Sequence, residues 1–406
     1  MNKNTKVVMM GLGYIGLPTA ALIASNEISV LGVDINENIV KTVNNGEIHI
    51  VEPALDGLVR HDVERGYLKA AIKPAKADVF LIAVPTPFKG DKHEPDLKFV
   101  ESATRMVLPF LSEGNLFIIE STSPVGTTER MARLIFSERP ELEGKIYIAY
   151  CPERVLPGNV IYELKNNDRA IGGIDEASTK KAVEFYQLFI TGELYQTNAR
   201  TAEMTKLVEN ASRDVQIAFA NELSMICDEA DIDVWELIKL ANKHPRVNIL
   251  QPGTGVGGHC IAVDPWFIVS EFKEKAKIIR TAREINNYKT EWVIEKIKNK
   301  ALEFELNEGR KPIIACLGLA FKPDIDDLRE SPALYVTENL INYGFNVMAI
   351  EPNITSHPSI KVSNLNEAIE SADLFVLLVK HKGFENADLK DKIVLNLCGI
   401  ANNWLN

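Results

Sequence analysis

Short apolar runs set the rhythm at both ends of the chain, and a long stretch between them follows another period. From Lys6 to Asp34 the order is an apolar run, a glycine turn, an alanine-rich helical stretch and a second apolar run, "ISVLGVD", which together predict one βαβ unit. The runs "ADVFLIAVPTP" and "NLFIIESTSP" predict further strands that end in Pro, Ser or Thr, where a parallel strand hands over to a loop and ligands collect. From Thr201 to about Lys300 the period is helical, with a break from Pro245 to Pro265. There "EMTKLVENASRDVQIAFANE" predicts a helix with Met204, Val208, Ala211, Val215 and Phe219 on its apolar face. Alternation then resumes with "KPIIACLGLAF", a helix from about Pro332 to Tyr343, "FNVMAIEPN", "ADLFVLLVK" and "KIVLNLCG".

These patterns predict an α/β fold of two Rossmann-like domains joined by a long-helix central domain, with residues 1–200, 201–300 and 301–406 as the three segments. Both ends follow one plan: strand, glycine turn, helix, strand ending in an acid (Asp34, Glu351), then a strand opened by Ala-Asp (Ala77-Asp78, Ala372-Asp373). Since α/β domains share this outline at low resolution, the acid-for-acid match leaves coincidence open.

Charge and cysteine usage narrow the chemistry. A net charge of −11 over 406 residues argues against a general nucleic-acid or membrane-surface binder, so an anionic ligand must be met by a local group of Lys and Arg. Five cysteines without a CxxC or zinc spacing predict no metal and suit a reducing cytosol. Apolar runs are strand-sized, and the N-terminus enters a strand without a signal-like h-region, so a soluble cytoplasmic protein is expected.

"GLGYIG" places Gly11, Gly13 and Gly16 in GxGxxG spacing after a strand and at a helix start, where a tight turn, close pyrophosphate approach and helix N–H groups are needed together. Asp34 ends the next strand, where a carboxylate accepts from ribose hydroxyls and repels a 2′-phosphate, so NAD is expected over NADP. Lys206, Asn210 and Arg213 form a polar stripe at i, i+4 and i+7. A solvated face explains such a stripe, but it runs on into Ile217, which suits a helix whose start lines a cavity. His244 and Arg246 flank a proline turn in "NKHPRVNIL", and "GLAFKPDIDDLRESPA" carries Lys322, Arg329 and Glu330 with a single glycine. In "GVGGHCIAVDP", Cys260 follows three glycines and precedes Asp264 by four residues, a setting unlike the apolar run of a structural cysteine. The glycines allow close approach by a substrate, the thiol is a candidate nucleophile and Asp264 a candidate to activate water. A nicotinamide site and a nucleophilic cysteine in one chain suggest oxidation of an alcohol through an aldehyde and a thioester to an acid.

In order, GxGxxG, "STSPVGTTE", "CPERVLPGN", Lys206 with Asn210, "GGHCIAVDP" and "FKPDIDDLRESPA" resemble the UDP-glucose/GDP-mannose dehydrogenase family over nearly the whole chain. The resemblance implies NAD on the first domain, a UDP-sugar held by the last, and a homodimer formed through the long helix. It implies Cys260 as nucleophile, Lys206 for the oxyanion or proton exchange, Asp264 for water activation, Glu153 for proton handling, and Asn210 as a further catalytic residue. Cofactor contacts carried over are Gly11, Gly13, Tyr14, Ile15, Gly16, Asp34, Thr86, Thr122, Thr127 and Arg329. Those for the substrate are Arg154, Val155, Lys206, Asn210, Arg213, His244, Arg246, Gly257, Phe321 and Lys322. His259, Ile261, Ala262 and Val263 around the cysteine depart from the Ser and Phe-Pro-Lys of UDP-glucose enzymes and resemble the branch acting on UDP-N-acetylhexosamines, UDP-N-acetylmannosamine above all. UDP-N-acetylglucosamine or UDP-glucose as substrate, a two-electron hydroxyacid dehydrogenase, and a non-catalytic nucleotide-sugar or NAD sensor are the competing readings.

Overall fold

The computed structural model describes residues 1–50, 52–90, 93–155, 158–258 and 260–400. The chain divides into two compact units, Met1–Glu209 and Asn210–Asn406.

The first unit begins with β1 (Lys6–Met10), α1 (Gly16–Ala24), β2 (Ser29–Val33), α2 (Glu37–Asn44), α3 (Leu55–Glu64), β3 (Leu68–Ala71) and β4 (Val79–Ile82). A small antiparallel hairpin, β5 (Phe88–Lys89) and β6 (Glu94–Pro95), comes next. It is followed by α4 (Lys98–Val107), β7 (Leu116–Ile119), α5 (Thr127–Glu138), β8 (Tyr147–Tyr150), α6 (Val160–Asn166), β9 (Arg169–Gly173), α7 (Glu176–Tyr186) and β10 (Leu194–Asn198). Eight strands form one sheet in the order β10-β9-β8-β7-β4-β1-β2-β3. It is parallel except between β8 and β9. Chain order reverses between β1 and β4, and the crevice beyond their carboxyl ends is where such sheets take ligands. Every residue of β4 and β7 is buried, as strands covered on both faces require. All of α1 is buried too, which explains its run of small and aliphatic residues.

A long helix, α8 (Ala199–Glu229), runs across the division between the units. The second unit continues with α9 (Val234–Ala241), α10 (Asp264–Phe272) and α11 (Lys277–Glu308), then β11 (Ile313–Leu317), α12 (Pro332–Asn342), β12 (Asn346–Ile350), α13 (Leu365–Ser371), β13 (Leu374–Leu377) and β14 (Ile393–Asn396). Its sheet is wholly parallel, in the order β12-β11-β13-β14, with a second order reversal between β11 and β13. Both ends of the chain are therefore Rossmann-like, as the sequence predicts.

The buried face of α8 corrects the sequence expectation. Val208 and Phe219 are exposed, whereas Glu203, Lys206, Asp214 and Asn221 are buried along with Ala202, Leu207, Ala211 and Ala218. Counting apolar residues misses this face because its polar members find partners on other elements: Glu203 and Lys206 elsewhere in the first unit, Asp214 and Asn221 on α11. Arg283 donates to Asp214 Oδ1 at 2.7 Å, Asn286 to the same oxygen at 2.8 Å, and Asn221 to Asn286 at 2.9 Å. Among the described residues no helix is long and apolar enough to cross a membrane.

Candidate active site

In the first unit the glycine turn lies between β1 and α1. Gly11 has φ +93, and a Cβ there would sit 2.3 Å from the Ala83 carbonyl oxygen; one on Gly16 would sit 1.9 Å from the Gly11 carbonyl oxygen. Both glycines are thus demanded by the turn and by helix-on-strand packing. Gly13 is not: a Cβ on it meets nothing within 4 Å, so no internal contact accounts for the middle glycine. The space over it is open to a bound group, and the uncapped start of α1 beyond Ile15 presents N–H groups suited to a pyrophosphate. Tyr14 beside it is exposed. The half-buried carboxylate of Asp34 accepts from the N–H of Leu12 at 3.0 Å and of Asn36 at 2.9 Å, leaving lone pairs for ribose hydroxyls. These residues fit NAD.

On the β4 side of the order reversal, Thr86 Oγ1 donates to the Thr122 carbonyl at 2.6 Å and so ties the loop after β4 to the loop after β7. Thr127, expected as a cofactor contact, is buried, and its hydroxyl donates to the Pro124 carbonyl at 2.7 Å. The start of α5 is filled from within the protein. Glu203 of α8 accepts from Gly126 N–H at 2.6 Å, Thr128 N–H at 2.7 Å and the Thr128 hydroxyl at 2.6 Å. Burial pushes the Glu203 carboxyl up against these bonds. Sequence reading misses Glu203; a lone carboxylate at the spacing of buried Leu207 and Ala211 was the available signal.

Lys206 is buried, and its ammonium donates to the Glu153 carbonyl at 2.9 Å and faces the Glu153 carboxylate at 3.4 Å. The other Glu153 oxygen accepts from Val155 N–H at 2.8 Å. Arg154 forks onto Glu209, at 2.6 and 3.1 Å. The loop "CPERV" therefore brings Glu153 and Lys206 together and holds Arg154 on the same helix.

In the second unit Asn210 donates to Asp264 Oδ2 at 2.5 Å. Asp264 is buried at the start of α10, and its N–H donates to the Cys260 carbonyl at 2.8 Å. Cys260 itself is half-buried. Sequence spacing thus joins the thiol and the carboxylate in one turn, and the Asn210 amide reaches that carboxylate from α8, 54 residues away; His259 lies outside the described residues.

The glycines before the cysteine have another reason than the one expected. A Cβ on Gly257 would sit 2.4 Å from the Glu330 carbonyl oxygen and 2.8 Å from Phe321 Cβ, and one on Gly258 would sit 2.9 Å from the Phe321 ring. Their side-chain room is taken by the segment after β11, so packing by itself requires both glycines. Phe321 and the exposed Lys322 belong to that segment. So does Arg329, whose guanidinium lies at 2.6 to 3.1 Å from the Asp327 carboxylate. His244, Arg246 and Arg213 are exposed. The loop of the first two is closed by Asn242, whose side chain bonds both the N–H and the carbonyl of Ile249.

Sequence models of the UDP-glucose/GDP-mannose dehydrogenase family match three stretches: the NAD binding domain over residues 5–190, the central domain over 200–288 and the UDP binding domain over 315–402. A UDP-N-acetyl-D-mannosamine dehydrogenase of Campylobacter jejuni is 56% identical over 97% of this chain and 99% of its own length. An NDP-N-acetyl-D-galactosaminuronic acid dehydrogenase of Ralstonia nicotianae is 51% identical over 97% of this chain and 96% of its own. The solved structure of the UDP-D-ManNAc dehydrogenase of Pyrococcus horikoshii superimposes with a TM-score of 0.88 at 39% identity, covering 98% of this chain and 96% of that one.

Proposed function

Because the chain belongs to the UDP-glucose/GDP-mannose dehydrogenase family, we propose that it oxidises C6 of UDP-N-acetyl-D-mannosamine to the uronate, an NAD-dependent four-electron reaction carried by Cys260. The observation that supports the chemistry is the turn in which a half-buried thiol precedes a buried carboxylate fixed by Asn210. For the sugar, the support is the 56% identity to the Campylobacter jejuni enzyme. NAD, when bound at the Gly11–Gly16 turn, supplies the hydride acceptor for both oxidations.

The protein's residues do the rest. Loss of a hydride and a proton from the C6 alcohol gives an aldehyde, to whose carbon Cys260 Sγ adds while the oxygen takes a proton. Loss of the second hydride together with the hydroxyl proton turns this thiohemiacetal into a thioester. Asp264 takes the proton of an attacking water, the C–S bond breaks, and the carboxylate leaves with the thiol restored. Lys206 steadies the negative oxygen in each addition, and Glu153 beneath it accepts or returns the proton. The balance is one alcohol, two NAD and one water giving one carboxylate, two NADH and three protons. In the same reading Arg246 and Lys322 face the diphosphate, Arg154, Val155 and Arg213 the sugar nucleotide, and Arg329 the cofactor. The segments 1–200, 201–300 and 301–406 act as cofactor, central and nucleotide-sugar domains. Exposed Val208, Phe219 and Ile226 on α8 support a homodimer formed through that helix.

A second reading, an N-acetylgalactosamine-type sugar, draws on the 51% identity to the Ralstonia nicotianae relative. A panel of UDP-2-acetamido sugars and UDP-glucose followed by NADH absorbance tests both: UDP-N-acetylmannosamine should give the highest kcat/KM, and preference for another sugar overturns the assignment.

A further inference from the structure

The segment Leu319–Asp324, which carries Phe321 and Lys322, is fastened from beneath by two buried side chains outside the family motifs. Glu351, at the end of β12, accepts through Oε2 from the N–H of Leu319 at 2.8 Å and of Ala320 at 3.0 Å. Through Oε1 it accepts from the backbone and side-chain N–H of Asn353 at 3.1 and 3.0 Å. His381 is wholly buried between this carboxylate and the far end of the segment. Its Nδ1 accepts from Asp324 N–H at 2.9 Å, and its Nε2 lies 3.0 Å from Glu351 Oε2. An acceptor at Nδ1 and a carboxylate at Nε2 fix the neutral tautomer with its proton on Nε2. Asp324 is held in the left-handed region at φ +59, and its carboxylate accepts from Lys382 N–H at 3.0 Å.

We infer that His381, acting through Glu351 and Asp324, is a positioning residue that presents Phe321 and Lys322 to the nucleotide end of the substrate. The imidazole links the two ends of a segment whose middle carries those side chains, and Phe321 packs against Gly257 and Gly258 beside the cysteine. One ring therefore sets the place of a binding cation and of the phenyl ring beside it. The inference rests on the proposed UDP-sugar reading, since Lys322 matters here as a diphosphate ligand.

Gln can reproduce the ring's polar pattern, with its amide N–H toward Glu351 and its oxygen toward Asp324, whereas Leu can do neither. His381→Leu should weaken binding of UDP alone, by calorimetry, at least tenfold and raise KM for the sugar nucleotide at least tenfold, with kcat changed less than threefold and NAD affinity less than twofold. His381→Gln should stay within threefold of wild type on every count. Equal behaviour of the two variants, or a joint loss of NAD affinity and kcat, overturns the positioning role. Should the Leu variant fail to fold, 15N-histidine NMR of wild type still decides: the resonance missing from His381→Gln must report a bare Nδ1, and a protonated Nδ1 contradicts the brace. Wild type that binds UDP yet forms no NADH with any UDP-sugar counts against the proposed reaction alone. Wild type that does not bind UDP overturns the inference.

Discussion

In both α/β units the first strand runs into a left-handed glycine, Gly11 at φ +93 and Gly318 at φ +99. The N–H of each donates to the last residue of the second strand, Val33 at 2.7 Å and Ile350 at 2.8 Å. The next residue's N–H, from Leu12 or Leu319, donates to the acid after that strand, Asp34 or Glu351, at 3.0 and 2.8 Å. Even the Ala-Asp openings agree: Asp78 accepts from Lys6 N–H at 2.8 Å and Asp373 from Ile313 N–H at 2.9 Å. The match is one of hydrogen bonds as well as outline, so coincidence does not explain it. Beyond the glycine the two units diverge. In the first unit α1 starts at Gly16 and Asp34 stays half-buried with lone pairs to spare; in the second the helix starts only at Pro332, and Glu351 is buried with its oxygens filled. One scaffold thus yields a cofactor turn where helix start and acid are left open, and a braced loop where both are withdrawn.

The largest expected effect is on stability of the second unit. Burial by itself would push the Glu351 carboxyl up, but hydrogen bonds from His381 and from the N–H groups of Leu319 and Ala320 outweigh it and hold it at about 2. Its contribution is therefore complete above the ordinary carboxylate range near 4.5 and is lost as pH falls from there through about 2. Leaving a buried N–H without its acceptor costs about 1–3 kcal/mol, and Glu351 serves several, so Glu351→Ala should lose at least that much at pH 7 and most of the acid-dependent loss with it. Trp235, Trp266 and Trp292 belong to the second unit, and residues 1–209 contain no tryptophan, so tryptophan fluorescence reads this unfolding. A variant as stable as wild type would erase the contrast between the two acids.

Within the first unit the glycines separate packing from ligand approach. Gly11→Ala forces a Cβ against the Ala83 carbonyl in a left-handed backbone, and such overpacking costs about 1–3 kcal/mol before the backbone strain is added. Gly13→Ala meets no protein atom and should leave the melting temperature within a degree or two while weakening NAD, as NADH fluorescence titration would read. Unchanged NAD affinity in the second variant removes the reason given for the middle glycine.

A smaller effect is expected at Asp34. Asp34→Ala should weaken NAD roughly ten- to a hundredfold, as the loss of hydrogen bonds to a charged group does, and narrow the gap to NADP, with far less loss of stability than Glu351→Ala. Equal use of NADP by the wild type would sink the assignment.

The sequence makes legible whatever lies within a few residues. The glycine turn, the strand-end acids and the Cys260–Asp264 turn are local patterns, and each appears as expected. The buried face of α8 is hidden because Glu203 meets its partners Gly126 and Thr128 some 75 residues away, and Asp214 meets Arg283 at a separation of 69. The reason for Gly257 and Gly258 is hidden likewise, since Phe321 and Glu330 arrive from beyond α10, α11 and β11. His381 sits in no motif, and its partners, Glu351 and Asp324, lie 30 and 57 residues distant.

The measurement that bears most directly on the proposed chemistry is the count of NADH against product for UDP-N-acetylmannosamine, with the product weighed by mass spectrometry in wild type and Cys260→Ser. Sulfur capture at C6 predicts two NADH and one uronate per sugar in the wild type. A hydroxyl, whose pKa lies far above that of the thiol, should stall the variant before acid is released. One NADH per sugar with free aldehyde, or undiminished uronate from the serine variant, would show that Cys260 takes no part in the chemistry.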